Sequence, residues 1–295
     1  MSDHWAVLVN AVAGRRKAIV ERTERALIDA HVGAEVTAPD GPEPMRAAVR
    51  RHVSEGTRHI GVVGGDGTLN LVVDELMGLD LDEPPVIGLL PAGSGSDFAR
   101  TFALPQSIEG SVHHLAGRTD YPLDVGFLQG SWGSRAFVNV GEAGLTAACL
   151  GLADRLPRAL GGARYQTAFW ATLPRFPPTE IELVTDRRTH TGSALVAVFA
   201  NAQFFGGGFN IAPKAAVMDG LLDLQIFDAS RLKVLELFPQ IKKGVHLKNP
   251  AVRRFTSRSF ELRTAVPWPV EADGEMFGTT PVKGHVESGR LMLRL

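Results

Sequence analysis

The chain has 295 residues, 44% of them hydrophobic and 21% charged, and its 31 basic and 32 acidic residues give a formal net charge of −1. This composition excludes a disordered, collagen-like or low-complexity chain. The near-neutral charge argues against a protein built around nucleic-acid binding, so no nucleic-acid partner is predicted. The single cysteine, Cys149, permits no internal disulfide and is predicted to pack as a small hydrophobe.

The first half of the chain alternates short apolar runs with helical patterns. Ile60–Val63 and Val86–Leu90 are typical of buried strands, whereas Lys17–Ala30 and Thr68–Met77 carry apolar residues at helical spacing. The other elements predicted in this half are the strands Ala6–Val9 and Ala34–Thr37 and the helices Met45–Val53, Asp97–Phe102 and Ser107–Ala116. Strands separated by helices indicate a mostly parallel sheet. We therefore predict an α/β domain over residues 1–123.

After Leu123 the pattern changes to strands with few long helices between them. The predicted strands are Ala136–Val140, Glu180–Thr185, Ala194–Ala200, Leu222–Phe227 and Ser259–Arg263. Leu145–Leu173 is the main helical interruption, and the alternating end, Gly284–Leu295, predicts one more hairpin. We predict a β-rich, sandwich-like antiparallel domain over residues 124–295, whose last strand is a candidate to return to the first domain.

The sequence shows no sign of a targeting or membrane-spanning segment. Its N-terminus lacks a basic start followed by a long hydrophobic stretch. The longest apolar windows are far shorter than the roughly 20 residues that span a bilayer. We expect a cytoplasmic protein that meets lipid only from the aqueous side.

The most informative segment is Gly64-Gly-Asp-Gly-Thr-Leu-Asn70, which follows the predicted strand Ile60–Val63 and opens a helix. Glycines let the backbone approach a ligand closely, and amides at a helix N-terminus favour an anion. The segment therefore predicts a phosphate-binding loop. A tight turn capped by Thr68 is the alternative, because the run is neither a Walker A motif nor a full dinucleotide fingerprint.

Two further loops follow predicted strands of the same sheet. Pro91-Ala-Gly-Ser-Gly-Ser-Asp97 comes after Val86–Leu90, and Asn10-Ala-Val-Ala-Gly14 comes after Ala6–Val9. Ligands of open α/β sheets bind at the carboxyl ends of the strands. Any one of these loops could be ordinary turn chemistry, but three at one sheet edge predict a binding site.

The three loops resemble those of the diacylglycerol kinase catalytic-domain family, which includes bacterial lipid kinases and sphingosine and ceramide kinases. Gly64–Asn70 resembles the nucleotide loop of that family, Gly88–Arg100 its second loop and Asn10–Gly14 its opening motif. Further segments follow in the order found in the family: Asp124-Val-Gly126, Phe204–Gly208, Ala212-Pro213, Asp219–Asp223 and Asp273–Glu275. The resemblance covers nearly the whole chain.

The chain also departs from the pattern of the family. Ala11-Val12 replaces the usual continuation of the opening motif, Ser94 replaces a threonine and Ser96 replaces an asparagine. Leu71 stands where a glutamate is common, so a polar role at that position is lost or is supplied by Glu75. These changes bear on substrate and nucleotide preference more than on the kinase class.

The resemblance implies ATP and Mg²⁺ as cofactors. The residues that it assigns to ATP binding are Asn10, Ala11, Val12, Ala13, Gly14, Thr37, Gly64, Gly65, Asp66, Gly67, Thr68, Leu69, Asn70, Leu71, Gly93, Ser94 and Asp97. Thr37 could equally be no more than the end of a strand. We interpret Asp66 and Asp97 as direct or water-mediated metal partners, since a carboxylate beside a triphosphate would otherwise repel it. Capping of a helix is the alternative for Asp97.

The resemblance also implies the acids of the reaction. It favours Glu275 as the proton acceptor, with Asp273 as a supporting or alternative base, and it places Asp66 among the catalytic residues. An Asp-Gly-Glu segment taken alone is typical of a solvated turn. In bacterial members of the family an aspartate and nearby carbonyls hold Mg²⁺, and the matching positions here are Ala216, Asp219 and Leu221. The alternative is a plain turn before the next strand.

The predicted function is that of an ATP-dependent lipid kinase, which transfers the γ-phosphoryl group to a hydroxyl of a lipid such as diacylglycerol. One alternative is an NAD-kinase-like phosphotransferase on a soluble substrate, but the Asn-Asp pair expected of such an enzyme is missing at Asn139-Val140. Another is a lipid- or nucleotide-binding protein without turnover. The sequence leaves the lipid and the oligomeric state open, a homodimer included.

A basic stretch in the second half predicts contact with a membrane surface. Between Arg231 and Arg263 nine Lys or Arg residues face two Glu residues, which gives a local formal charge of +7. A solvated basic face is the usual meaning of such a run. In an otherwise acidic chain we instead expect reversible, peripheral contact with an anionic membrane at its inner face.

Overall fold

The computed structural model of the chain describes residues 4–10, 16–92, 96–157, 160, 163–228 and 230–295. The chain divides into two compact units. Unit 1 consists of Met1–Val125 and Ser288–Leu295, and unit 2 consists of Gly126–Glu287. Among the described residues, no helix combines the length and the apolar composition needed to cross a membrane.

Unit 1 is an α/β fold around a parallel sheet with the strand order β2-β1-β3-β4. Its strands are β1 (Trp5–Val9), β2 (Ala34–Thr37), β3 (His59–Gly64) and β4 (Val86–Pro91). Its helices are α1 (Arg16–Asp29), α2 (Pro42–Ser54), α3 (Asp66–Met77), α4 (Asp97–Thr101) and α5 (Ile108–Leu115). Every residue of β1 and β4 is buried, as expected for parallel strands covered on both faces. The predicted α/β class of the N-terminal half is confirmed.

Unit 2 is built mainly from antiparallel strands. The remaining strands of the chain are β5 (Asp120–Gly130), β6 (Gly133–Phe137), β7 (Val140–Gly144), β8 (Thr179–Thr185), β9 (Thr189–Ala194), β10 (Val196–Ala200), β11 (Phe204–Phe205), β12 (Phe209–Asn210), β13 (Leu222–Phe227), β14 (Val252–Ser257), β15 (Ser259–Thr264), β16 (Pro269–Ala272), β17 (Glu275–Thr279) and β18 (Val282–Arg294). The helices are α6 (Leu145–Ala153), α7 (Ala163–Thr172) and α8 (Arg231–Lys242). The chain passes from one unit to the other within β5 and again within β18.

One sheet of unit 2 has the order β14-β13-β10-β7-β16-β17, and β8, β9, β15 and the first half of β18 form another. The rings of Phe199 on β10 and Phe260 on β15 stack with centroids 4.3 Å apart, so these two sheets share a core. Val198 on the opposite face of β10 packs in a second cluster with residues of α6 and α8. The predicted sandwich-like fold is therefore confirmed. Cys149 is buried in the second cluster, where desolvation raises the pKa of its thiol to about 12.

Two strand predictions in the second half were wrong. The final segment, Gly284–Leu295, is not a hairpin, because β18 runs on without reversing: its start pairs antiparallel with β15 and its end pairs in parallel with β4. The alternation of side chains was correct, but Gly289, whose φ is +69°, lies within the strand rather than in a turn between two strands. The predicted strand Ala136–Val140 is divided between β6 and β7, because the amides of residues 138–140 donate hydrogen bonds to the carboxylate of Asp273 where one strand ends and the next begins.

Candidate active site

The first glycine-rich loop joins the buried strand β3 to helix α3. Gly64 packs tightly against the first turn of the helix, since a Cβ atom on it would lie 2.5 Å from Oγ1 of Thr68. Gly67 is open, with no described atom within 4 Å of where its Cβ would be. The loop thus has one position that requires glycine for packing and another where its backbone can be approached from outside.

Asp66, the first residue of α3, bonds to the second loop. Its Oδ2 accepts a hydrogen bond of 2.8 Å from the amide of Asp97, and its Oδ1 accepts one of 3.0 Å from the amide of Phe98. We call this pair of hydrogen bonds the Asp66 clasp. Burial raises the pKa of Asp66 to about 6, although the two amides act in the opposite direction. The clasp fixes the start of α3 to the start of α4.

The alternative role predicted for Asp97, capping of a helix, belongs instead to Asp66. Asp97 is buried as the first residue of α4, and it forms an ion pair with Nε of Arg100 at 3.2 Å. The first amides of α4 are satisfied by the carboxylate of Asp66 across the loops. The metal role predicted for both aspartates remains a prediction.

The end of β1 also reaches the first glycine-rich loop. Nδ2 of Asn10 donates a hydrogen bond of 2.7 Å to Oγ1 of Thr68. The hydroxyl of Thr37, at the end of β2, is buried and makes no hydrogen bond within the described residues. The remaining residues predicted at this edge, Ala11, Val12, Ala13, Gly14, Gly93 and Ser94, lie outside the described residues.

The burial of the side chains on helix α3 indicates which of them could contact a ligand. Leu69 and Asn70 are buried, and Leu71 is half-buried. Glu75 does not supply the polar role that Leu71 lacks, because its carboxylate binds Arg46 at 3.2 Å and Arg50 at 2.6 Å on α2. Glu75 therefore joins two helices, which leaves the other alternative, that the polar role at this position is lost.

In unit 2, Asp273-Gly274 forms the two-residue turn between β16 and β17. Both residues have positive φ, +50° and +85°, as in a type I′ turn, for which Asp-Gly is a favoured pair. The carboxylate of Asp273 accepts hydrogen bonds from the amides of Val138, Asn139 and Val140, at 2.9, 3.1 and 3.0 Å. We call these three bonds the Asp273 clasp. Asp273 thereby holds the β6–β7 connection, which makes it a poor candidate for the base.

Glu275 is the first residue of β17, next to this turn. Its side chain is exposed, and no hydrogen bond or ion pair engages its carboxylate within the residues that the structure describes. The turn therefore presents one carboxylate that is bound to backbone and another that is open to a ligand. Of the two, Glu275 is the carboxylate that remains accessible to a ligand.

The predicted magnesium position lies in a turn before β13. Oδ1 of Asp219 accepts a hydrogen bond of 3.0 Å from the amide of Leu221, across Gly220 with φ of +70°. No group of three or more His, Cys, Asp or Glu residues converges as a metal site in the described part of the chain. Ala216 and Leu221 could offer only carbonyl oxygens. One carboxylate with carbonyls suits a Mg²⁺ ion that keeps several waters.

Sequence reasoning missed two acids beside the Asp273 turn, Glu142 on β7 and Glu271 on β16. Both are buried and opposite each other in the antiparallel register. A signal was available, because each acid interrupts an otherwise apolar strand.

The basic stretch Arg231–Arg263 does not form one solvated face. Arg254 is bound to the buried Asp223 at 2.5 Å, and Arg263 pairs with Glu182 and Glu261. Helix α8 instead exposes Lys233 and Lys242 together with apolar side chains: Leu232 is 79% exposed and Leu235 is 54% exposed. The ring of Phe238 on α8 lies 5.3 Å from that of Trp170 on α7, which is itself exposed.

Comparison with known proteins assigns both halves of the chain. Residues 4–128 match the model of the diacylglycerol kinase catalytic domain, and residues 139–294 match that of the YegS C-terminal NAD kinase beta sandwich-like domain. A diacylglycerol kinase of Mycobacterium tuberculosis is 33% identical over 237 residues, which cover 78% of this chain and 74% of that protein. A diacylglycerol kinase of Bacillus subtilis is 25% identical over 284 residues, covering 93% and 90%.

A crystal structure of a diacylglycerol kinase from Bacillus anthracis matches the fold with a TM-score of 0.75. It is 17% identical and covers 99% of this chain and 96% of that one. The sequence matches extend over both units, and the fold agrees along almost the whole length. The chain therefore belongs to the diacylglycerol kinase catalytic-domain family.

Proposed function

We propose that the chain is an ATP-dependent lipid kinase that transfers the γ-phosphoryl group of ATP to a hydroxyl of a lipid such as diacylglycerol. The observation that carries the proposal is the Asp66 clasp, because it fixes two glycine-rich loops side by side at the carboxyl ends of β3 and β4. Such an edge is where α/β sheets bind nucleotides. Membership of the family supports the same reaction.

Unit 1 would hold the nucleotide. The backbone of Gly65, Gly67 and Thr68 lies at the N-terminus of the 12-residue helix α3, where amides and the helix dipole favour phosphate. Ser94 and the loop 10–14 would complete the contacts. Asp66 would act beside the phosphates chiefly by keeping the two loops in register.

Unit 2 would supply the base and the metal. Glu275 would take the proton of the lipid hydroxyl while that oxygen bonds to the γ-phosphorus, and the bond to the β–γ bridging oxygen breaks to release ADP. Asp219 and the carbonyls of Ala216 and Leu221 would hold Mg²⁺, which neutralises phosphate charge. The binding of Mg²⁺ at this position is itself part of the proposed function.

The membrane contact would be made by α8. Its exposed Leu232 and Leu235 can enter the interface of a bilayer, while Lys233, Lys242 and Lys243 remain exposed beside them. Each basic residue near an anionic surface contributes about 1 kcal/mol. A few such residues and two leucines would give reversible docking at the inner face of the membrane.

A phosphate-transfer assay tests the proposed reaction. Labelled ATP and Mg²⁺ with diacylglycerol in mixed micelles should give a labelled lipid, and NAD as acceptor should give no labelled product. Glu275→Gln should lose the activity, whereas Glu180→Gln, at an exposed glutamate on β8, should keep it. Labelled NAD, or binding of ATP and lipid without transfer to any lipid of a total extract, would overturn the proposal.

Sedimentation with vesicles tests the docking surface. Binding to anionic vesicles at low salt should fall about tenfold or more when Lys233, Lys242 and Lys243 are changed to Glu. The matched control reverses Lys17, Arg155 and Arg187, which are exposed elsewhere. Leu232→Ser with Leu235→Ser should weaken binding at high and low salt alike. Equal binding to neutral and anionic vesicles would contradict the proposed electrostatic contribution of the lysines to membrane binding.

A further inference from the structure

Two carboxyl groups face each other inside unit 2. Glu142 is the central residue of β7 and Glu271 lies on β16, and they are only 3% and 6% exposed. The antiparallel register places them directly opposite each other, so their side chains leave the same face of the sheet. Val198 of β10 lies opposite Glu142 on its other side.

The surroundings of the pair offer no opposite charge. Within the described residues no ion pair reaches either carboxyl, and Thr146 of α6 is the polar side chain beside Glu142. The other titratable groups near the pair are Asp273 on the β16–β17 turn and Cys149 on α6. Two buried carboxylates without a cation are costly, so the pair must carry a proton.

The direction of the pKa shifts agrees with this geometry. Burial raises the pKa of Glu142 to about 7. Burial, followed by the negative charge of Glu142, raises the pKa of Glu271 well above its ordinary range. The two groups therefore titrate as a unit, and at neutral pH the unit keeps at least one proton.

Glu271 also bonds to the turn that carries Glu275. Its Oε2 accepts a hydrogen bond of 3.0 Å from the amide of Gly274, the residue immediately before Glu275. The Asp273 clasp holds the other residue of the turn. The backbone leading to Glu275 is therefore fixed at two successive residues by two different acids.

We propose that Glu271, sharing one proton with Glu142, is a positioning residue that orients Glu275 by holding the amide of Gly274. Loss of the shared proton would set two negative charges against each other across β7 and β16, separate them and release the turn. Glu275 would then lose its orientation at alkaline pH. This inference rests on the proposed function, in which Glu275 accepts the proton of the substrate.

Three variants of the full chain test it: Glu271→Leu, Glu271→Gln and Glu142→Gln. Glu271→Leu should accelerate hydrogen exchange of the Gly274 amide, measured by NMR, and lower kcat about tenfold, with little change in KM for ATP. Glu271→Gln keeps an acceptor oxygen for that amide, so it should restore most of the protection of Gly274 from exchange and most of kcat. Glu142→Gln leaves a single acid that has no charged neighbour to repel, so the alkaline fall in kcat of the native chain should disappear in this variant.

The exchange measurement needs no activity, so it separates this inference from the proposed function. A native chain that transfers no phosphate would refute the kinase proposal, while exchange at Gly274 would still test the contact. Should Glu271→Leu not fold, the two Gln variants and their pH profiles decide. Unchanged Gly274 exchange in a folded Glu271→Leu, or the same alkaline limb in Glu142→Gln as in the native chain, would overturn the proposal.

Discussion

Asp66 in unit 1 and Asp273 in unit 2 each precede a glycine, and each directs its carboxylate onto backbone amides of a distant segment. Asp66 begins a helix and accepts two amides at the start of α4. Asp273 begins a two-residue turn and accepts three amides between β6 and β7. Asp66 also has its pKa raised by burial.

Comparing these acids distinguishes the residues that hold a loop in place from the residue that is proposed to carry out the chemistry. An aspartate next to a glycine is easily interpreted as catalytic. The carboxylates of Asp66 and Asp273, however, both accept hydrogen bonds from backbone amides. Glu275, two residues after Asp273, is exposed and lacks such partners among the described residues. The proposed function therefore assigns the proton transfer to Glu275, the acid with the fewest contacts to the rest of the chain.

The largest effect on stability is expected at Asp273. Asp273→Ala leaves the amides of residues 138–140 without their acceptor, and we expect the free energy of unfolding to fall by about 3 kcal/mol. Chemical denaturation would measure it. Glu275→Ala is the matched control and should change it by less than about 0.5 kcal/mol. Equal effects of the two variants would remove the distinction drawn between these acids.

A smaller loss is expected at Asp66. Asp66→Ala removes the acceptor of two amides but also relieves the burial of a carboxylate, so we expect a loss of about 1–2 kcal/mol. Asp80→Ala, at an exposed aspartate of the same unit, is the control. A loss at Asp66 larger than that at Asp273 would reverse the ranking of the two clasps.

A further prediction concerns how the stability contributed by Asp66 depends on pH. The pKa of Asp66 is raised from its ordinary 3.8 to about 6 in the folded chain. The folded chain therefore favours the neutral form of this carboxyl group more than the unfolded chain does. That contribution to stability is complete below about pH 4 and is lost as the pH rises through about 6. Relative to Asp66→Asn, the native chain should thus be less stable at neutral pH than at about pH 4. A difference in thermal midpoint that is independent of pH would contradict the shift.

Much of unit 1 could be predicted because its signals are local. Apolar runs ending in glycine marked β3 and β4, and the loops that follow them lie at neighbouring strand ends. The partners of the loop residues could not be predicted, because the Asp66 clasp joins residues 31 and 32 positions apart. Periodicity alone cannot show which of two aspartates caps α4.

Unit 2 was harder to predict, since its strands pair over long separations. The alternation in Gly284–Leu295 predicts strand residues but does not show that Gly289 lies within one continuous strand rather than in a turn between two. Glu271 was overlooked beside Asp273-Gly-Glu275 because its role depends on Glu142, which lies 129 positions earlier and meets it only through the register of β7 and β16.

The most direct test of the account compares kcat for Glu275→Gln and Asp273→Asn, each corrected for the fraction of folded protein. We predict a loss of about a hundredfold or more for Glu275→Gln, the usual scale for a general base, with an unchanged thermal midpoint. Asp273→Asn should lose stability but keep most of its turnover per folded molecule. Near-native turnover of Glu275→Gln together with a large loss in folded Asp273→Asn would contradict the account and assign the base to Asp273.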